Sequence, residues 1–211
     1  MRLFSFSIAD DWGRGDYFID LTSSSRIELE SRLEALANDE ASGFSIDMAK
    51  WQKRAKKSDP QRHAVELEGL AAVDGALVIG VRYPSTPQGA LLLELDPTTE
   101  ALRVLGPIDL GQGRTVSALA YDPERGELFV GANPPRKEPA ATGKSRLLVF
   151  SMPGRGEIGS EPIRSYGDEV EEGLKLEGVA WDGKELWLAF EGDFEGVAQS
   201  VLRKSKHTQV R

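Results

Sequence analysis

From Val65 onward the hydrophobic and polar positions fall into short apolar or alternating runs, cut by Asp-Gly, Pro and Gly signals, and this texture predicts an all-β domain. Strands are expected at Glu66–Ala72, Ala76–Arg82, Ala90–Asp96, Ala101–Leu105, Thr115–Tyr121 and Glu127–Ala132. Further strands are expected at Arg146–Ser151, Pro162–Tyr166, Leu176–Trp181, Glu185–Phe190 and Gln199–Arg203. The beginning of the chain reads differently. Leu3–Ile8 alternates, with Phe4, Phe6 and Ile8 on one face and Ser5 and Ser7 on the other, and Asp16–Leu21 predicts its hairpin partner. Ser25 and Glu28 form a capping-box pattern, which predicts a helix start there, and Leu29, Leu33 and Leu36 supply the apolar stripe. A second helix is predicted over Ser45–Lys57, ended by Asp59-Pro60.

Three of the β segments can be laid on one another. Glu68–Arg82, EGLAAVDGALVIGVR, aligns without a gap on Glu177–Glu191, EGVAWDGKELWLAFE, and Ser117–Asn133, SALAYDPERGELFVGAN, needs two extra residues in its turn. Each copy is a strand rich in small residues, a turn beginning with Asp, and a more apolar strand. Third and fourth strands follow the first two copies and a third strand follows the last. The copies begin 49 and 60 residues apart, near the ~40–50 residues of a four-stranded propeller blade. The expected fold is therefore mainly β, a β-propeller-like array of about three to four blades with an N-terminal strand pair and one or two helices; the alternative is a β-sandwich whose hairpins merely look alike. The expected division is an appendage at 1–64, repeats at 65–203 and a flexible tail at 204–211. Three blades fall short of the usual four to eight, so Leu3–Ile8 or Asp16–Leu21, a second copy of the chain, or further sequence is expected to complete the array.

LEGLA at Leu67–Ala71 with LVIGVRYP at Leu77–Pro84, and LEGVAWDGKELWLAFEGD at Leu176–Asp193, resemble an uncharacterised bacterial family of β-propeller-like proteins, a domain of unknown function with EGLA-type strand starts and a G-[LV]-R-x-P strand end. The likeness covers roughly Val65–Arg203 and implies a propeller-like fold with no established activity. The EG strand start is also similar to lactonase-type and phytase-like propellers, in which an acidic residue at the channel mouth binds a divalent cation. The first sixty residues match neither group.

Composition narrows the function classes. The chain of 211 residues has no cysteine, which excludes a disulfide framework, a thiolate metal ligand and a cysteine nucleophile. The opening MRLFSFSIADDWGRG reads as a strand rather than a secretion signal, and no apolar run approaches a membrane span, so a cytoplasmic location without membrane association is expected. A formal net charge of −8 argues against broad nucleic-acid binding. Against that background Lys50, Lys53, Arg54, Lys56, Lys57 and Arg62 form a basic patch: a solvated face, a contact for the acidic run Asp168–Glu172, or a nucleic-acid contact.

In an antiparallel pair the start of one strand and the end of the next share an edge. That edge gathers Glu68 with Arg82, Ser117 with Asn133, and Glu177 with Glu191, and in a propeller it rings the channel mouth. Two readings of it stand. Glu177, Glu191 and Asp193, with the amide oxygen of Asn133, are the hard oxygen donors that Ca2+ or Mg2+ prefers. Alternatively Glu68 pairs with Arg82, Ser117 bonds to Asn133, and Glu177 and Glu191 stand in solvent. His63 and His207 are the only histidines, and no G-x-S-x-G, Walker or dinucleotide fingerprint is present. GQGR at Gly111–Arg114 and GRG at Gly154–Gly156 read as turns, Trp181 and Trp187 as packing, and Pro134–Gly143 as a long docking loop. The leading functional reading is a non-enzymatic binding or scaffold module with a protein partner or self-association. The runner-up is a divalent-cation-dependent hydrolase of a small ester, lactone or phosphoester, with Glu177, Glu191 and Glu68 around the ion and Arg82 holding an anionic group.

Overall fold

The computed structural model describes residues 2–8, 19–28, 32, 33, 35, 36, 53, 66–86, 89–111, 113–134, 144–166, 174–194 and 197–205. These are mainly β. Strands β3 (Glu66–Val73), β4 (Ala76–Thr86), β5 (Gly89–Leu95) and β6 (Leu102–Ile108) form an antiparallel meander, as do β7 (Thr115–Asp122), β8 (Glu127–Asn133), β9 (Arg146–Ser151) and β10 (Arg164–Tyr166). A third sheet holds β11 (Lys175–Trp181), β12 (Leu186–Phe194) and β13 (Val197–Ser205). Each aligned sequence copy is thus the first hairpin of its own sheet, and the extra strands follow as expected.

Local chemistry explains why every copy turns on an aspartate. Asp74 and Gly75 have φ of 48° and 80° and close the two-residue loop between paired Val73 and Ala76, the positive-φ combination that matches strand twist and that Asp-Gly supplies most readily. In the second copy Asp122 Oδ1 accepts from the Glu124 and Arg125 amides, and in the third Asp182 Oδ1 accepts from those of Lys184 and Glu185. The carboxylate caps amides that the hairpin leaves unpaired.

The three sheets stack with β3, β7 and β11 side by side. Ala71, Val73, Val78, Leu92, Val116, Leu119, Val130, Leu148 and Phe150 fill the space between the first two sheets. Phe129, Leu147, Val149, Leu176, Leu186, Leu188 and Phe190 fill the space between the second and third. The other face of the first sheet, with Ile79, Val81, Leu91, Leu93 and Leu95, is covered by Leu33 and Leu36 of a helical stretch. Leu33 is fully buried there, a burial that stabilises by roughly 1.5–3 kcal/mol. Among the described residues the sheets do not close into a ring or barrel.

Two sequence expectations are corrected. Ser25 and Glu28 do not start a helix, because β2 (Ile19–Glu28) runs through them and pairs with β1 (Arg2–Ile8), Ser25 opposite Ser5 and Glu28 opposite Arg2. The ladder occupies backbone groups that the capping box would otherwise have served. Neither N-terminal strand supplies a fourth strand to the last copy: β1 and β2 form a two-stranded sheet of their own, and the third sheet has three strands.

Gly80 of β4 marks the tightest point of the stack. A Cβ there would lie 2.4 Å from the Glu68 carbonyl oxygen and 2.4 Å from Val116 Cγ1, so backbone and neighbouring sheet would both have to move. Gly80→Ala is expected to destabilise by about 2–3 kcal/mol, whereas Gly75→Ala, with open space around it and a cost from φ alone, should lose about 1 kcal/mol. Urea denaturation of the two variants checks the order; a Gly80→Ala protein as stable as the parent would contradict the close approach.

Candidate functional site

The inner strands of all three sheets are interrupted at the same aligned position. Register shifts occur between Leu67 and Leu70 in β3, between Val116 and Ala118 in β7, and between Leu176 and Gly178 in β11. The bulged residues are Glu68 with Gly69, Ser117, and Glu177. A bulge re-aims the side chain it carries, and here it does so at the edge where the sequence placed its candidate site.

At that edge the Glu68 carboxylate accepts from Arg82 Nη1 through Oε1, and Glu66 lies 4.0 Å from the same guanidinium. Glu68 Oε2 is buried and has no hydrogen-bond partner among the described residues. Burial pushes the Glu68 carboxyl above its ordinary pKa; the Arg82 hydrogen bond and charge oppose this, and the charges of Glu177 and Glu66 add to it. Glu177 is therefore electrostatically coupled to Glu68 although 109 residues separate them in sequence.

Asn133 binds the second sheet to the third. Its Nδ2 donates to the Leu176 carbonyl at 3.2 Å and to Glu177 Oε1 at 3.4 Å, while its Oδ1 accepts from the Leu176 amide at 3.2 Å. Ser145 Oγ donates to Asn133 Oδ1 at 2.6 Å and accepts from the Leu176 amide at 3.1 Å. Asn133 and Ser145 are both buried, and their bonds fix one side-chain amide against a strand backbone, a satisfied network of the kind that orders a core.

The structure thus brings together Glu68, Arg82, Asn133 and Glu177. The expected Glu68–Arg82 pair is present. The expected Ser117–Asn133 bond is replaced by the bonds to Ser145 and Leu176, because Asn133 is in register with Thr115 while Ser117 occupies the bulge; Ser117 Oγ is buried without a hydrogen-bond partner among the described residues. Glu177 and Glu191 are exposed, and Glu191 stands opposite Lys175 in the ladder. Asp193 belongs to β12 by its backbone; its side chain lies outside the described residues, as do Lys50, Arg54, Lys56, Lys57, Arg62, both histidines, the acidic run Asp168–Glu172 and the loop after Pro134. Lys53 is helical and exposed. Among the described residues no three of His, Cys, Asp and Glu are grouped so as to hold a metal ion.

Sequence reasoning missed two further features. One is a clasp between the first two sheets. The buried Glu94 of β5 accepts from Arg103 Nε at 3.0 Å, Arg103 Nη2 at 2.6 Å and the Gly156 amide at 2.8 Å. Arg155 lies 3.5 Å from Glu94 and donates to Asp96 at 3.0 Å. The GRG stretch is the expected turn, bridged from Gly154 to Glu157, and it carries this clasp. Asp96 is pulled down to about 2 by the Thr99 amide, then Arg155, then the Thr98 amide. Glu94 interrupts a continuous apolar run, Ala90–Leu95, whose residues are buried on both faces of β5, and that was the signal for an inward carboxylate.

The other is a depression of about 350 Å³ at the turn end of the inner strands. Ala72, Tyr121 and Trp181, one aligned position in the three copies, line it. So do Asp74, Pro123 and Gly183, two residues further on, together with Glu124. Trp181 also stacks on Phe129, centroids 5.7 Å apart, as its packing role required. The alignment held this signal, since it places three wall residues in one column.

Fold and edge together define a mainly β protein of three stacked antiparallel sheets with a polar rim assembled from equivalent positions. Comparison with protein-family models and with curated proteins finds no match for the chain.

The Glu68–Arg82 pair gives a pH signature. With its folded pKa above the ordinary 4.5, Glu68 binds its proton more tightly in the folded than in the unfolded protein, so stability falls as pH rises from 4.5 through the folded value. Arg82→Met removes the two opposing causes, moves the Glu68 titration higher still, and leaves a half-buried carboxylate unpaired. The variant should lose about 1–2 kcal/mol at pH 8 after allowance for the solvent that reaches the pair, with the loss shrinking at pH 4, where Glu68 carries its proton. Urea denaturation at both pH values, with carbon NMR titration of the carboxyl, tests this; an equal loss at both would count against it.

Proposed function

We propose that the chain is a non-enzymatic, propeller-like binding module, its three sheets acting as blades, and that the rim bearing Glu68, Arg82, Asn133 and Glu177 docks a basic segment of a partner protein. The β-sheet stack with first strands innermost supports the propeller-like reading, in line with the resemblance carried by Leu67–Pro84 and Leu176–Asp193. The single observation that carries the binding reading is Glu68. Its Oε2 is a buried acceptor without a bond among the described residues, at a rim where Glu66, Glu177 and Glu191 outnumber Arg82 and Lys175. A Lys or Arg side chain arriving there would complete the hydrogen bonding and relieve the repulsion between Glu68 and Glu177. Asn133 and Ser145, the other polar groups of the rim, are engaged in holding two sheets together, which suits a rigid docking edge.

Capture from a native lysate tests this. The parent protein should retain a stoichiometric partner in a salt-sensitive way, and a Glu68→Gln/Glu177→Gln double variant with an intact circular-dichroism spectrum should retain about a fifth as much or less. Absence of a stoichiometric partner, or capture that ignores the double variant, would overturn the proposal. Light scattering decides whether the partner is a second copy.

The hydrolase reading makes a separate demand. Glu68, Glu177 and Glu191 around an ion would raise the melting temperature in millimolar calcium, magnesium or manganese, because binding to the folded state stabilises it. On the rim reading calorimetry gives no heat and the melting temperature does not move; a saturable rise with any of the three ions would restore the hydrolase.

A further inference from the structure

The turn end of the inner strands goes beyond the rim reading and is independent of it. We infer that the open depression lined by Ala72, Asp74, Tyr121, Glu124 and Trp181 is a binding site for a small organic cation of the alkylammonium class. Four observations carry this inference. The depression, about 350 Å³, has the volume of a small-molecule site. Its walls come from all three sheets, so its shape is fixed by the same stacking that fixes the core. Two of its walls are aromatic rings, whose faces attract cations. Among the described residues its charged lining is acidic, Asp74 and Glu124.

The neighbouring charges do not cancel that preference. Arg125 Nη1 lies 3.6 Å from Asp122 Oδ2, which takes up its charge, and Lys184 follows Gly183 in the turn without forming part of the wall. The Tyr121 hydroxyl donates to the Met152 carbonyl at 3.2 Å, which turns the polar end of the ring toward the chain and leaves its hydrocarbon part to the cavity. Burial, reinforced by Asp74 and Asp122, holds that phenol above its usual pKa, so it remains neutral across the physiological range. Trp181 is held by Phe129 in a stack with an interplanar angle of 30°. A cation entering the depression therefore meets two fixed rings and two carboxylates that do not have to be gathered from solution, while a neutral molecule of the same shape meets the rings alone.

The experiment uses choline and n-pentylammonium as cationic probes and 3,3-dimethylbutanol as the uncharged isostere of choline. Binding is read from indole NMR signals assigned with a Trp181→Phe variant. At least one cation should saturate a shift of the Trp181 signal, binding about tenfold tighter than the neutral isostere. Asp74→Asn should weaken it about fivefold, and so should Glu124→Gln. Asp74→Asn is the sharper variant, because Asn-Gly closes the same kind of turn as Asp-Gly and the hairpin is retained. No saturable shift with either cation, equal binding of the isostere, or indifference to both variants would overturn the inference. The lysate experiment at the rim involves none of these residues, so failure at one end does not imply failure at the other.

Discussion

The close approach of β3, β7 and β11 is the constraint on which the rest of the structure depends. Several positions on these three inner strands are occupied by glycine or alanine because the neighbouring strand leaves no room for more. A Cβ on Gly69 would lie 2.9 Å from the Ala118 carbonyl carbon, and one on Gly131 would lie 2.8 Å from Ser117 Oγ. Ala71, Ala118 and Ala120 are buried at the same junction. Leu119 of β7 and Leu176 of β11 are the larger buried residues of the inner strands, and Phe129, Phe150, Leu92 and Leu148 of the following strands fill the space between sheets.

That close approach creates polar obligations as well as apolar ones. The inner strands of neighbouring sheets share no ladder, and backbone groups at the junctions are met by side chains. Asn133 serves Leu176 at the junction of the second and third sheets. Glu94 serves the Gly156 amide at the junction of the first and second, while Arg103 neutralises the charge taken into the interior. Both devices place a polar side chain where a hydrophobic one would leave amides or carbonyls unpaired. They also fix the sheets rotationally, which apolar packing does poorly because it is non-directional.

Much of this was legible in the sequence because it rests on local rules. Short apolar or alternating runs and Asp-led turns located the strands of the three sheets, and the internal alignment assigned hairpins to sheets. The Glu68–Arg82 pair followed from antiparallel geometry alone. What was not legible depends on tertiary choices. Ser25 and Glu28 satisfy a helix-capping rule, but pairing with β1 overrides it. Asn133 was assigned to Ser117, its nominal strand neighbour, whereas the bulge shifts the register and sends it to another sheet. Glu94 sits in a continuous apolar run that marks a strand buried on both faces, but its partners Arg103 and the 154–157 turn could not be read from it.

The aligned bulge position reads Glu68, Ser117, Glu177, and this inequality follows from the stack. In a closed ring the three positions would have equivalent surroundings and no reason to differ. Among the described residues the sheets form an open stack whose middle sheet has a neighbour on each side: β7 is buried along nearly its whole length, whereas β3 and β11 keep exposed positions. A carboxylate at the middle position would lose its water on both sides, a penalty that rises steeply with burial. Serine, 5% exposed there, brings a much smaller polar group into the junction. At the outer positions one side stays open, so Glu68 keeps a side-chain exposure of 26% and the help of Arg82, and Glu177 is exposed. The two glutamates therefore flank a buried serine, and they can act together on anything that approaches the rim, because the residue between them carries no charge to offset theirs.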